Sequence, residues 1–412
     1  MKRVVILCVW LFSVVAGHAQ LSLDECRRLA RENYPEIRQY DLVHQTEQYN
    51  LSNAARAWIP QIAFSAQATW QTDAPNFPKE LTGMLAQQGL EIPGLRKDQY
   101  KVALELNQTI WDGGKSVADK RIARAEAAEQ KTMTDVDLYE LEGRVDDLYF
   151  GILLLDERIA QTNLTLNLLR SNLEKVRALQ RNGVAMQSDA DVLEAELLSV
   201  GQQLIQFESS CDSYRRMLGI FIGQKVGDRK LQRPSAVQPL SGESARPELA
   251  MFAAKIDRLT AQEKMVKSSS MPRLGFFAQG YYGYPGLDYM QSMMNSDWSW
   301  NAMLGVKLSW NFGAYYTQKN NLNKLRISRQ QVEVQRDVFL FNMNLQAAQE
   351  NGDIARLRKA IADDDRIVAL RRSVREAAES KLRNGIIDTH DLLSKITDES
   401  TASMARSMRE IE

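Results

Sequence analysis

The chain has 412 residues, a quarter of them charged, with a formal net charge of zero and 44% hydrophobic residues. A balanced charge gives no electrostatic draw toward nucleic acid. Beyond the first twenty residues no run approaches the ~20 consecutive apolar residues that a membrane helix needs, so any membrane crossing must be made by strands.

Residues 1–19 read as an export signal. Lys2 and Arg3 form the charged start, Val4 to Val15 the apolar stretch, and Gly17-His18-Ala19 a small-x-small cleavage site that leaves Gln20 as the mature start. No Cys follows that site, so lipidation of the mature N-terminus is not indicated. Cleavage removes Cys8 and leaves Cys26 and Cys211, which do not make a disulfide framework. The three histidines, at 18, 44 and 390, have no metal-ligand spacing. There is no Gly-x-Ser-x-Gly, no phosphate-cradling Gly loop and no Ser/His/Asp grouping. Carboxylate runs such as Asp146-Asp147 and Asp363 to Asp365 lie on charged helical stretches and read as solvated faces. The chain therefore reads as a non-enzyme without cofactor or metal.

Pro35-Glu36 opens a helical stretch, and a strand follows. Ile62, Phe64, Ala66, Ala68 and Trp70 face one way, and Ala63, Ser65, Gln67 and Thr69 the other. In a second strand Val102, Leu104, Leu106 and Ile110 oppose Lys101, Glu105, Asn107 and Thr109. Then comes a Pro-free stretch whose apolar positions run Leu138, Leu141, Val145, Leu148, Ile152, Leu155, Ile159, Thr162, Leu166, Leu169, Leu173, Val176. Spacings alternating between three and four mark a coiled-coil seam. From Lys115 to Gln180 this is 66 residues, or about 100 Å of helix. Leu153, Leu154, Leu164 and Leu168 widen the stripe, as suits a helix with neighbours on both sides. Asn182-Gly183 ends it, and Gly accepts the left-handed cap of a helical hairpin tip.

Pro234, Ser241 and Gly242 mark a linker over 234–246. Beyond it the order repeats. Pro35-Glu36 returns as Pro247-Glu248 and the Pro60 motif as Met271-Pro272, both 212 residues on; Trp111-Asp112-Gly113-Gly114 is echoed by Trp310-Asn311-Phe312-Gly313, and Asn182-Gly183 by Asn384-Gly385. The chain thus divides into a signal peptide (1–19), a first repeat (20–233), the linker and a second repeat (247–412). The third strand, Leu274 to Tyr282, has Phe277 and Tyr281 on its polar face; the fourth alternates cleanly from Ala302 to Trp310. The second long helix carries Val334, Val338, Phe341, Leu345 and Ala348, and is then crowded by Asp363 to Arg366 and Arg371-Arg372. After Gly183 the helical pattern runs 34 residues to Met217, whereas only 27 residues follow Gly385, so the second repeat is expected to be C-terminally incomplete.

Each strand is about ten residues, the span of a tilted transmembrane strand. Trp58, Trp70, Trp111, Trp298, Trp300 and Trp310 all lie at or just beyond strand ends, where indole rings favour the bilayer interface. An open four-stranded sheet cannot span a bilayer, because unpaired edge groups in hydrocarbon cost several kcal/mol each. Three chains would supply twelve strands, an even number within the range of outer-membrane barrels. The expected fold is mainly α with β: long antiparallel coiled-coil helices plus four transmembrane strands per protomer, internally duplicated.

These residues resemble the TolC-like outer-membrane efflux protein family. The resemblance is carried by Ile110-Trp111-Asp112-Gly113-Gly114-Lys115, the run from Ala54 to Pro60, and the paired tips with Asp189 and Asp391 at matching positions. It implies a homotrimer with a twelve-stranded barrel in the outer membrane and a helical α-barrel tunnel in the periplasm, closed at its far end until an adaptor and an inner-membrane pump engage it. Such a channel tunnel conducts substrates passively in tripartite efflux or type I secretion, contacts outer-membrane lipid and needs no nucleic acid. The resemblance places segments 71–99 and 283–299 outside the cell. It places Asn182, Gly183, Val184, Asp189, Asn384, Gly385, Ile386 and Ile387 at adaptor-docking tips, and Asp391 with Asp388 at the pore entrance. Ser394 stands where the family can carry a second acid, and Leu382 and Ile387 where well-known members lock the entrance with Tyr and Arg. A helix cap is the competing role for Asp391. The competing function is a non-enzymatic periplasmic coiled-coil adaptor or scaffold, which has no use for four alternating strands ending in Trp.

Overall fold

The computed structural model describes residues 20–89, 92–234, 245–384 and 386–412. The expected signal segment, most of the expected linker and Gly385 lie outside the described residues. The chain divides into two compact units, Met1–Gln39 with Met133–Pro247 and Asp337–Glu412, and Tyr40–Thr132 with Glu248–Arg336.

The first unit is helical. Ser22 caps α1 (Leu23–Asn33) by accepting from the Glu25 amide at 3.2 Å. The unit also holds most of α4 (Lys115–Arg181), α5 (Gln187–Ile222), most of α8 (Gly313–Arg383) and α9 (Thr389–Ile411). The α4 seam is buried at Leu138, Leu141, Val145, Ile152, Leu155, Thr162, Leu166, Leu169, Leu173 and Val176, as its spacing predicts. Leu148 is only half-buried, beside the fully buried Tyr149; Ile159 is half-buried too, and Leu164 is exposed. Cys26 and Ala30 of α1 and Cys211, Leu218 and Ile222 of α5 pack on Val145, Tyr149 and Ile152. The Tyr149 hydroxyl reaches two carbonyls, Leu21 O at 2.7 Å and Gln232 O at 2.6 Å. It thereby holds the parallel bridge between Leu21 and Leu231. Arg27 grips Asp146 through Nε (2.7 Å) and Nη2 (2.5 Å), fixing α1 to α4. Both cysteines are buried free thiols. Burial, reinforced by Glu25, pushes the Cys26 thiol up to about 12, so it stays protonated and inert.

The second unit holds α2 (Gln39–Arg56) from Tyr40 onward, α6 (Pro247–Ser268), the first turns of α4 and α8, and one sheet. Its strands are β1 (Gln61–Trp70), β2 (Asp98–Trp111), β3 (Arg273–Tyr284) and β4 (Ser299–Ser309), antiparallel in the order β1-β2-β3-β4. The echoed Trp-Asp-Gly-Gly and Trp-Asn-Phe-Gly motifs start the long helices. Asp112 accepts from the amides of Gly114 (2.9 Å) and Ser116 (2.6 Å), and Asn311 from Gly313 (3.0 Å), which satisfies donors that a helix start leaves open. Segments 71–99 and 283–299, which the resemblance places outside the cell, each contain a short helix, α3 (Lys79–Gln87) and α7 (Tyr289–Met294). α7 starts where Asp288 accepts from the Gln291 amide at 3.0 Å, a local cap that hydrophobic periodicity does not register over six residues. Among the described residues no helix is long and apolar enough to cross a membrane.

Candidate membrane-facing and channel-lining surfaces

Strand register decides what each face of the sheet presents. Ile62 lies opposite Leu106, Phe64 opposite Leu104 and Ala66 opposite Val102. Val102 in turn lies opposite Tyr282, and Tyr282 opposite Trp300, while Leu274, Phe276 and Ala278 meet Leu308, Val306 and Leu304. Because side chains alternate with period two, every apolar set falls on one face. That face is uncovered: Phe64 is 71% exposed, Leu304 74% and Trp300 82%. A contiguous apolar surface of this kind marks a binding or membrane surface.

The tryptophans bracket it. Trp70, Trp298 and Trp300 lie at one end of the sheet, and Trp58, Trp111 and Trp310 at the end where the helices begin. Trp298 stacks on Tyr100 at 5.7 Å, and Tyr282 lies 5.0 Å from Trp300. At the other end Trp58 Nε1 donates to Ser116 Oγ (3.2 Å) and Trp310 Nε1 to the Ser270 carbonyl (3.0 Å). Each of those indoles has a satisfied polar edge and an apolar body, which suits the headgroup boundary. The ten residue steps from Trp300 to Trp310 span about 33 Å along the strand, or ~25 Å at the usual barrel tilt, the height of an outer-membrane apolar band.

The opposite face is polar. Lys101 Nζ donates to Gln279 Oε1 at 3.1 Å, and Gln279 donates on to Glu105, joining β2 and β3. The two aromatics that broke the β3 pattern are sheltered there. Tyr281 lies under the Lys101 ammonium, 4.6 Å from the ring centre, and the Phe277 ring covers the space beside Gly305 where a side chain would otherwise sit.

In the first unit the hairpin tips are built alike. The Val184 amide reaches back to Leu179 O (3.0 Å), and the Ile386 amide to Lys381 O (3.0 Å), so both long helices close with the same wide turn. Gly183 adopts φ 76° for this purpose. Val184, Met186 and Ile386 are exposed at the tips. Beneath them Leu169, Leu173 and Val176 of α4 pack with Leu193 of α5, Ala378 of α8, and Leu392 and Ile396 of α9. Leu382 and Ile387 pack against this cluster, so both positions serve apolar packing in this chain. Arg375 bonds Glu379 (2.8 Å) and Glu399 (2.7 Å), and Lys175 lies 3.4 Å from Glu379. Burial raises the Glu379 pKa, but Arg375 and Lys175 together outweigh it and hold the carboxyl below the usual 4.5.

The acidic residues at the two tips differ in use. Asp189 reaches back to the Met186 amide at 2.8 Å, closing the start of α5. In α9 the cap is Asp388, which accepts from the Asp391 amide at 2.8 Å. The capping role weighed for Asp391 thus falls to Asp388. Asp391 is exposed, with its carboxylate uncommitted among the described residues. His390 is exposed too.

This arrangement has the fold of known outer-membrane channels. It resembles VceC of Vibrio cholerae with TM-score 0.70 and 14% identity, over 94% of this chain and 92% of that one. CmeC of Campylobacter jejuni matches with TM-score 0.63 and 15% identity over 94% and 82%. The open-state MtrE channel of Neisseria gonorrhoeae matches with TM-score 0.62 and 15% identity over 94% and 85%. None of the curated proteins is detectably similar to the chain in sequence. Residues 27–223 match the outer membrane efflux protein family. The resemblance to TolC-like outer-membrane efflux proteins read from the sequence is thereby confirmed.

Three features of these surfaces escaped the sequence reading. The Tyr149 clasp joins residues 128 and 83 positions apart, which no local pattern reveals. The Lys101–Gln279–Glu105 chain depends on register between strands from different repeats. The division of labour between Asp388 and Asp391 depends on where α9 starts; an Asp three residues before another at a helix start was the available signal.

Proposed function

We propose that the chain is the outer-membrane channel-tunnel component of a tripartite efflux or type I secretion system, and that it works as a homotrimer. The observation that carries this reading is the sheet: four strands whose apolar sets share one uncovered face, bracketed by tryptophan, with β1 and β4 left as open edges. An open edge in hydrocarbon strands backbone donors and acceptors. Three copies joined edge to edge satisfy all of them in a twelve-stranded barrel. The polar face then lines the lumen, the apolar face meets outer-membrane lipid, and the helices extend into the periplasm. Segments 71–99 and 283–299 lie at the exterior mouth. The tips at Asn182 to Val184 and Asn384 to Ile387 dock the adaptor, and Asp391 faces the entrance, which opens when adaptor and inner-membrane pump engage. Conduction is passive. A coiled-coil adaptor leaves the uncovered apolar face without a role.

The test is reconstitution of detergent-purified protein in planar bilayers. The reading expects trimers and discrete ion-conducting steps. Stable monomers without conductance contradict it.

A further inference from the structure

The polar face carries Lys101, Glu105, Arg273 and Lys307 as its charged side chains in β1 to β4; Asp98, opposite Trp70 at the outer strand end, falls on the other face. Lys101 and Glu105 are bridged through Gln279, which leaves that pair locally neutral. Asp98 is taken by Arg96. Arg273 and Lys307 remain. β3 residue Arg273 pairs with Ser309, and β4 residue Lys307 with Gly275, so the two cations are diagonal neighbours on one face, about 7 Å apart at the Cβ atoms. Both are exposed. They line a cleft of about 410 Å³ shared with Gln61, Asn107, Asp112 and Asp119, at the end of the sheet where the long helices begin. The acids of that cleft are already committed. Asp112 gives both oxygens to the amides of Gly114 and Ser116, and Asp119 pairs with Lys115 at 2.9 Å. Among the described residues neither Arg273 nor Lys307 has an ion pair.

Two adjacent like charges repel, and a chain that only needed solubility on this face would gain nothing by placing them together. We propose that Arg273 and Lys307 form an anion-attracting collar on the lumenal face where the strands meet the helices, favouring passage of solutes that carry carboxylate or phosphate groups. The inference rests on the channel reading above. Three copies set six cations in one layer of the lumen, and rings of Arg and Lys favour anions. The Arg guanidinium supplies a fork for a carboxylate or phosphate, and the Lys a mobile point charge beside it. Asp391 belongs to a different unit, so the two charged sites can be tested separately.

The experiment is the zero-current potential of single pores in a potassium chloride gradient, using full-length protein. Arg273→Gln/Lys307→Gln is expected to shift it toward the potassium equilibrium value while pores still open. Arg273→Lys, which keeps the charge, is expected to leave it in place. Raising the salt to about 1 M, where the Debye length is only ~3 Å, should shrink the difference between wild type and double variant. If the double variant does not assemble, Lys307→Gln alone must give a smaller shift of the same sign. Conducting pores with an unchanged potential overturn the collar and leave the channel reading standing. A wild type that never conducts overturns the channel reading, and the collar with it.

Discussion

α4 and α8 are both very long helices, of 67 and 71 residues, with apolar positions at coiled-coil spacing, yet they end in opposite situations. The α4 seam is covered within the chain by α1 and α5 in one cluster and by α5, α8 and α9 in the other. In α8, Val334, Val338 and Phe341 keep the same spacing but stay exposed, Phe341 at 63%. Hydrophobic periodicity identifies a face that wants a partner; it does not say whether that partner belongs to the same molecule. Under the trimer reading a neighbouring copy covers the α8 stripe.

This contrast can be broken by substitution. Leu141→Ala in the buried seam should cost roughly 2–5 kcal/mol and lower the helical melting temperature of the protomer itself. Phe341→Ala should leave that melting temperature within ~0.5 kcal/mol of wild type, as an exposed change does, while lowering the temperature at which oligomers dissociate on semi-native gels. Equal effects of the two variants on protomer melting would remove the distinction. Next in size is Tyr149→Phe, which strips the hydroxyl from the carbonyls of Leu21 and Gln232. A loss of about 1–3 kcal/mol is expected, with faster hydrogen exchange confined to the neighbourhood of Leu21 and Leu231.

A third effect appears where α4 and α8 meet, through the Lys175, Glu379 and Arg375 contacts. Because the Glu379 pKa is lowered in the folded state, its contribution is fully present above about 4.5 and is lost as the pH falls through the folded value. Amide exchange at the tips should therefore quicken on acidification below that point, and Glu379→Gln should flatten the response; an unchanged acid response in the variant would assign it to other carboxylates. The smallest effect belongs to Arg28→Ala. It breaks an exposed pair with Glu32 at 3.0 Å, and should change stability by less than about 0.5 kcal/mol.

Much of this architecture was legible because each element repeats a short period. Alternation placed β1, β2 and β4 to within a few residues, and the spacing from Leu138 to Val176 named a face that is buried at ten of its twelve positions. β3 was harder because Phe277 and Tyr281 sit on the polar side, sheltered by Gly305 and Lys101, neighbours that only the register brings together. The tips were visible as two Asn-Gly pairs, since left-handed caps have few residue choices. What escaped was non-local: the Tyr149 clasp, the Asp388 cap that frees Asp391, and the Arg273–Lys307 pair formed across β3 and β4.

The central claim is that the two open sheet edges meet on neighbouring copies. It is tested most directly by pairing Phe64→Cys on β1 with single cysteines at 300, 302, 304, 306 or 308 on β4, all on the apolar face, and oxidising them in native outer membranes. Cys26 and Cys211 are buried and stay out of the reaction. The account predicts that at one register the chains link into a covalent ladder that ends at the trimer. Unlinked chains or loops closed within a single chain at every register would contradict it.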